Sequence, residues 1–573
     1  MEKLEIIYKH VLHRDIRQLL KYTAEAYEGK NAFVLKHKVK KDVSYQYIKY
    51  EDFFHEVNAL GSALLKRGYE NKRIAIIGKN SYPWALTYFA TLCGLGITVP
   101  LDKGLPMDEA ESSIIRSYAD IIVFDKDHAS MIEEIKERGN TNLSLYICMD
   151  DYKDYLTIGE LKKEGMALLS AGYTDYKNLP IDPDALAVIL FTSGTTSMSK
   201  AVMLSHTNLV TNTYDAIACE PILPTDVNMA FLPYHHTFGA TGQIVMLAAG
   251  TCTAYCDGLK YLQKNLVEYK VSVFVCVPLL IESIYKKVMK EVEKQGKTKL
   301  IKTAMFISNA LLKVGIDVRR KLFKSILDQL GGDIRFIISG ASAIDPVALA
   351  GFQNFGILTV QGYGLTETSP ILSAEGPKSI RRGSVGKAMP HVELKIDNPN
   401  SEGIGEVMAK GPNIMAGYYE NPEETAKVLE DGWFRTGDLG YLDKDGFLFL
   451  CGRAKNVIVL KNGKNVYPEE LELLISNLPY VEENMVFGEP KHDDPNDLTL
   501  ALKLVYKEDY FKEKDENISV ESIEKIIEKD LEKINDELPI YKQIRRIVIT
   551  DQPMIKTTTG KIKRFEEIKT FQK

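Results

Sequence analysis

Four short strings carry the residue types that chemistry on a phosphate needs. The segment FTSGTTSMSKAVMLSH (191–206) leaves an apolar run for a loop of glycine and hydroxyl side chains. Small residues let backbone N–H groups close round phosphate oxygens, the Thr and Ser hydroxyls add donors, and Lys200 adds a point charge. The P-loop pattern G-x-x-x-x-G-K-[ST] would require Gly at 199 and a hydroxyl at 201, where Ser199 and Ala201 stand, so this is a phosphate cradle of another kind. In QGYGLTETSP (361–370), Tyr363 offers a flat ring to a base, Thr366 a hydroxyl, and Glu367 a hard oxygen suited to magnesium bridging phosphates. Within DGWFRTGDLGYLDKDGFLFLCGRAKNVIVLKNGKNVYPEELE (431–472), the two oxygens of Asp438 can take two ribose hydroxyls, and the guanidinium fork of Arg453 can bind ribose or phosphate. In IKTTTGKIKR (555–564), Lys561 follows a Thr/Gly turn. Taken singly, each string also reads as an ordinary turn, a salt bridge or a solvated lysine.

The surrounding elements are those that present turns at a sheet edge. From Tyr50 to about Ser130, amphipathic stretches such as EDFFHEVNALGSALLKRG alternate with short apolar runs, RIAIIG and GLGITVPLD, and the apolar runs return at 186–194, 271–278 and 334–340. That alternation predicts parallel sheets covered on both faces, with ligand-binding turns at their carboxyl ends. Residues 383–452 switch to short strands with turn signals, predicting a small antiparallel barrel or sheet, a β-barrel-like subdomain. Beyond Arg453 come a strand-like NVIVL, a helix beginning near Pro468, and a charged stretch in which Ile523, Ile526, Ile527, Leu531 and Ile534 fall at helical spacing. The expected fold is α/β: a large domain, 1–453, of two doubly wound α/β subdomains plus the barrel-like unit, and a small α+β domain, 454–573.

Composition excludes several classes. The 573 residues, 45% hydrophobic and 26% charged, suit a multi-unit globular protein. With 72 Lys and Arg against 78 Asp and Glu, the net charge of −6 argues against broad nucleic-acid binding. Seven scattered cysteines without a C-x-x-C pair suggest neither a disulfide framework nor a zinc cage. Neither a signal core nor an apolar run of membrane-spanning length stands out, so a cytoplasmic protein without a transmembrane segment is expected, with peripheral membrane contact left open.

The four strings, in their order and spacing, closely resemble the adenylate-forming superfamily of acyl-CoA synthetases, peptide-synthetase adenylation domains and luciferases, over essentially the whole chain. The resemblance implies that Thr192, Ser193, Gly194, Thr195, Thr196 and Lys200 belong to the loop on the β- and γ-phosphates. It further implies that Gly340, Ala341 and Ser342 border adenine, with Tyr363 and Gly364 against it, that Thr366 reaches the α-phosphate, and that Glu367 ligates magnesium. Asp438 and Arg453 would hold ribose, Lys455 would be the hinge and Lys561 the adenylation lysine; Lys561, Glu367 and Thr195 are the expected catalytic groups. Gly463 resembles the glycine beside which pantetheine enters, and His236, in LPYHHTFG, falls near the acyl group. Ser197, Ser199 and Ala201 depart from the family's common Gly, Pro and Gly, while the Thr and Lys donors are intact. The 273–332 segment and the lengthened KNGKN loop resemble the long-chain branch.

A carboxylate is a poor electrophile, and the resemblance implies its solution: attack on the α-phosphorus of ATP gives acyl-AMP and pyrophosphate, and the CoA thiol then displaces AMP. The expected ligands are a medium- or long-chain fatty acid, ATP, magnesium and CoA. Alternatives are a ligase that stops at acyl-AMP, one that loads an acyl carrier protein, or a nucleotide-binding protein that has lost catalysis.

Overall fold

The computed structural model describes residues 2–192, 199–342, 344–491, 494–557 and 561–571. Two large sheets form the big domain. The first has eight strands, with Gly96–Leu101, Lys72–Ile77, Ile121–Phe124 and Leu145–Cys148 parallel in its middle. Each is a continuous apolar run because both faces are covered, and alternation divides the side chains between two layers. Ile74 and Ile76 enter one core, whereas Ala75 and Ile77 enter the other. Strand β1 (Leu186–Thr192) joins the parallel set beside Gly96–Leu101, and β2 (Lys200–Ser205) returns antiparallel to it. The hydroxyl-rich loop therefore joins two hydrogen-bonded strands, not a strand and a helix. Its residues Ser193, Gly194, Thr195 and Thr196 lie outside the described residues.

The second sheet has nine strands. Strands β3 (Val273–Cys276), β4 (Phe336–Ser339) and β5 (Leu358–Gly364) run parallel, and β6 (Ile371–Ala374) folds back antiparallel on β5. Val273, Val275, Phe336 and Val360 share one core with Ile74, Ile76 and the helix Tyr50–Lys66, so the two sheets enclose a common apolar layer. Between β3 and β4 lie two long helices, α1 (Pro278–Lys294) and α2 (Thr298–Lys313), packed on each other.

The barrel-like unit takes the form of a five-stranded antiparallel sheet in which Trp433–Leu442 (β7) pairs with Leu448–Arg453 (β8), and the pairing does not close among the described residues. Strand alternation and turn spacing give antiparallel pairing, but closure depends on tilt and stagger, which short strands do not encode.

After β8, one 3₁₀ turn (Ala454–Asn456) leads to the C-terminal unit. There Val481–Lys491 and Asp494–Tyr506 pair antiparallel and Ile544–Thr550 lies parallel beside them. Helices Pro468–Ser476 and Val520–Glu537 cover this sheet, the latter through Ile523, Ile527 and Leu531, while Ile526 faces water. Its main core, from Ile458 to Ile544, contains no residue of the large domain. Leu502, fully buried there, is expected to cost about 2–5 kcal/mol when cut to Ala. Limited proteolysis should then cleave after residue 456 at lower urea than in the wild type, while fragments of the large domain persist unchanged.

Candidate active site

Strand β5 delivers Tyr363 and Gly364 to the sheet's carboxyl edge and turns back through the 3₁₀ segment Thr366–Thr368. A Cβ on Gly364 would stand 1.7 Å from the Pro370 carbonyl oxygen, so the close approach admits only glycine. The turn is pinned from outside: Leu365 N–H donates to Pro370 O at 3.1 Å, Asn413 Nδ2 to Thr368 O at 2.9 Å, and Met415 N–H to Glu367 O at 2.9 Å. The Tyr418 hydroxyl donates to Glu367 Oε1 at 2.9 Å, and Oε2 has no donor among the described residues. A lone carboxylate with a free oxygen fits magnesium that takes its other ligands from phosphates and water. No cluster of three or more His, Cys, Asp or Glu ligands occurs among the described residues.

The next corner comes from the β7–β8 ladder, which sets Asp438 opposite Arg453. Arg453 Nε lies 2.7 Å from Asp438 Oδ1, and the Tyr363 hydroxyl donates to Oδ2 at 2.6 Å. Both oxygens keep further lone pairs for ribose hydroxyls. Thr436, not singled out from the sequence, accepts the Asp438 N–H at 3.1 Å and donates to Val407 O at 2.7 Å, fixing the strand. Burial pushes the Asp438 carboxyl above its ordinary value against the pull of Arg453, Tyr363 and Lys561. Burial, with Asp438 beside it, raises the Tyr363 phenol well above its own, so it stays a donor.

At the loop's far end, Lys200 Nζ sits 2.8 Å from Glu424 Oε2 and 4.6 Å from the Tyr418 ring centroid. Hydrogen bonds from Lys200 and then Lys427 hold the Glu424 carboxyl down to about 2. Tyr418 thus touches both Lys200 and Glu367. Arg116 donates to Ser199 Oγ at 3.2 Å and to its carbonyl at 2.8 Å. Thr192 Oγ1 donates to Lys200 O at 3.3 Å across the β1–β2 pair. The sequence alone singled out none of Tyr418, Glu424 or Arg116; the only signal was the string GYYENPEE, whose partners lie far away in the chain.

Lys561 arrives from the small domain, where Thr557 N–H donates to Lys561 O at 2.9 Å and Lys563 N–H to Ile555 O at 2.8 Å. The following helix, Arg564–Phe571, is tied down by the pairs Arg564–Glu472 and Lys503–Glu567. Lys561 is exposed as a residue, and partial burial of its ammonium lowers its pKa. Arg453 acts in the same direction and Asp438 and Glu367 against it. Lys455, in the connecting turn, is lowered by burial and by Arg453, Lys561 and Lys200. Cations from three of the four strings therefore act on Lys455 and its surroundings.

His236, at the start of helix Thr237–Ala248, is pushed down to about 4 by burial and by Lys561, so it is neutral. Its neighbour His235 places Nε2 3.2 Å from Asp102 Oδ1. Gly340, at the end of β4, would bring a Cβ to 3.1 Å from the Phe238 ring, and Ala341 adopts φ 76°, turning the exposed Ala341–Ser342 segment across the edge. A small cavity of about 20 Å³ beside them is lined by Phe231, Tyr234, Phe238, Gly239, Gly242 and Val275, among others. Gly463 stands apart, at φ 78° in an exposed turn whose Lys464 ammonium lies 4.1 Å from the Tyr541 ring centroid.

The chain belongs to the AMP-binding enzyme family, whose model matches residues 20–419, with the family's C-terminal domain matching 455–573. It is similar to long-chain-fatty-acid–CoA ligase 5 of Rattus norvegicus, 30% identical over 92% of this chain and 83% of that one. Among solved structures it is similar to the anthranilate CoA ligase AuaEII in complex with anthranoyl-AMP (TM-score 0.74, 19% identity, 98% of each chain). It is also similar to ATP-bound MatB from Rhodopseudomonas palustris (TM-score 0.73, 24% identity, 97% and 99%).

A lysine of lowered pKa carries more free amine at a given pH than a surface lysine. At pH 8, Lys561 should acylate faster than Lys525 or Lys533 with a limiting amine reagent, mapped by mass spectrometry, and ATP should protect it. Gly364→Ala should cost about 1–3 kcal/mol by overpacking and lose the thermal shift that ATP gives the wild type.

Proposed function

We propose that the protein is an AMP-forming acid–thiol ligase that activates a long-chain fatty acid as acyl-AMP and transfers it to CoA. The observation that carries this reading is the meeting of Lys561, from the separately cored small domain, with Asp438, Glu367 and Arg453 of the large one. Its reaction class and acid follow from the relatives, which are named as long-chain-fatty-acid–CoA ligases.

In this reading the domains divide at 453/454. Asp438 and Arg453 orient the ribose, with Tyr363 at the base and the Gly340–Ser342 turn along the adenine edge. Lys200 and the loop residues Ser193, Gly194, Thr195 and Thr196 take the outer phosphates, with Thr192 at the loop's root. Thr366 reaches the α-phosphate. Glu367 would hold magnesium, whose chemistry is to neutralise phosphate charge. Lys561 stabilises the negative charge that grows on the α-phosphoryl oxygens as the carboxylate attacks. The bond formed is carboxylate oxygen to α-phosphorus, and the bond broken is α-phosphorus to the bridging oxygen, which leaves with pyrophosphate. In the same reading neutral His236 and the cavity lined by Phe231, Tyr234 and Phe238 would receive the acyl chain. For the second step the small domain turns about Lys455, bringing Gly463 beside the pantetheine arm, whose thiol attacks the acyl carbon and releases AMP. CoA is the acceptor favoured here, because the relatives are named as CoA ligases; an acyl carrier protein is the alternative for the same thiol chemistry.

Lys561→Ala is expected to lower acid-dependent ATP–pyrophosphate exchange by roughly 100-fold or more, the scale of losing one transition-state charge partner. Thioester formation from supplied acyl-AMP and CoA should stay within a few-fold of wild type. Equal loss of both steps would refute the division of labour, and release of orthophosphate instead of AMP across an acid panel would refute the function.

A further inference from the structure

Helix α2 takes no part in the site, yet its outer face is unusual for a water-exposed surface. Ile301, Ala304 and Met305 pack inward on a core that includes Phe274, Phe323 and Phe352, and Ser308 is fully buried. The opposite side carries Leu300 (64% exposed), Phe306 (76%) and Ile307 (50%), followed by Val314 (71%) and Ile316 (52%). Seven-residue spacing sets Leu300 and Ile307 in one stripe, and Lys299, Phe306 and Lys313 in the next. From Lys294 to Ile316 there are five lysines and no acidic residue, in a chain whose net charge is −6. Lys299, Lys302 and Lys313 make no hydrogen bond or ion pair among the described residues, whereas α1 spends Lys290 on Glu513 and Lys286 on the Ser476 carbonyl of the small domain.

An aromatic and branched aliphatics flanked by unneutralised lysines are the composition of a helix lying in a lipid–water interface. No described helix is long and apolar enough to cross a membrane. We propose that the outer face of α2 is a peripheral docking surface for an anionic lipid bilayer. Leu300, Phe306 and Ile307 enter the boundary between headgroups and acyl chains, and Lys299, Lys302 and Lys313 meet lipid phosphates. A symmetric contact with a second copy would set these lysines against themselves, so charge selects the lipid. α2 packs on α1, which springs from β3, and Val275 of β3 lines the pocket assigned above to the acyl chain. That orientation rests on the proposed function; the lipid binding itself does not.

The test is co-sedimentation of the full-length protein with phosphatidylcholine vesicles with and without phosphatidylglycerol. Wild type should sediment with the anionic vesicles, less so at high salt, and little with phosphatidylcholine alone. Phe306→Asp, Phe306→Ser and the triple variant K299E/K302E/K313E should each lower the partition coefficient by about tenfold or more. Their melting temperatures, and exchange activity with a water-soluble short acid, should match wild type. Absence of wild-type binding to anionic vesicles, or equal binding by variants that melt like wild type, would overturn the proposal. So would self-association in sedimentation velocity that Phe306→Asp abolishes, since the face would then belong to a second copy. Loss of ligase activity with vesicle binding intact would instead refute the proposed function alone.

Discussion

Mutual repulsion among cations in the interdomain cleft is the constraint to which the architecture answers. Arg453, Lys561 and Lys200 each act on Lys455, and Arg453 acts on Lys561; among the described residues Asp438, Glu367 and, at Lys200, Glu424 lie against them. Side chains free to choose would move apart into water, so their backbones must be held by forces remote from the charges. The β7–β8 ladder holds Arg453 across from Asp438, the β1–β2 pair holds Lys200, and the Lys503–Glu567 and Arg564–Glu472 pairs hold the segment carrying Lys561. A polyphosphate is the ligand that relieves such a site, because its charge is dense, multiple and of opposite sign.

The supports also neutralise the site in part before any ligand binds. Glu424 takes Lys200, Tyr363 and Arg453 occupy the oxygens of Asp438, and Tyr418 bridges Lys200 and Glu367. Each such contact is an orienting interaction that a ligand can share or exchange, because a carboxylate has more lone pairs than its protein donors use. Tyr418 therefore links the start of β2 and the Thr366–Thr368 turn through one rigid ring.

What could be read in the sequence follows from where the physical information lies. The Ile74–Ile77 run and the Ile523–Leu531 spacing announce their elements because burial repeats with local period, two for the strand and 3.6 for the helix. The candidate strings stand out because glycine, hydroxyl and charged residues crowd together in them. Arg116, Thr436 and Glu424 do not, because each is an ordinary residue until the fold brings it to Ser199, Val407 or Lys200. The antiparallel unit before Arg453 shows the same limit: pairing is local, whereas its open form depends on relations between distant strands. The lysine-rich helix α2 reads as an ordinary solvated face until exposure is known residue by residue.

The apolar layer common to both large sheets has a mechanical corollary. Because Ile76 of one sheet and Val273 of the other belong to a single packed interior, the α/β halves cannot slide or part without opening it to water. The strands that carry Tyr363 and Lys200 thus belong to one stiff chassis. The C-terminal unit, by contrast, keeps its own core and is joined to these halves through the single helical turn at Ala454–Asn456, three residues long.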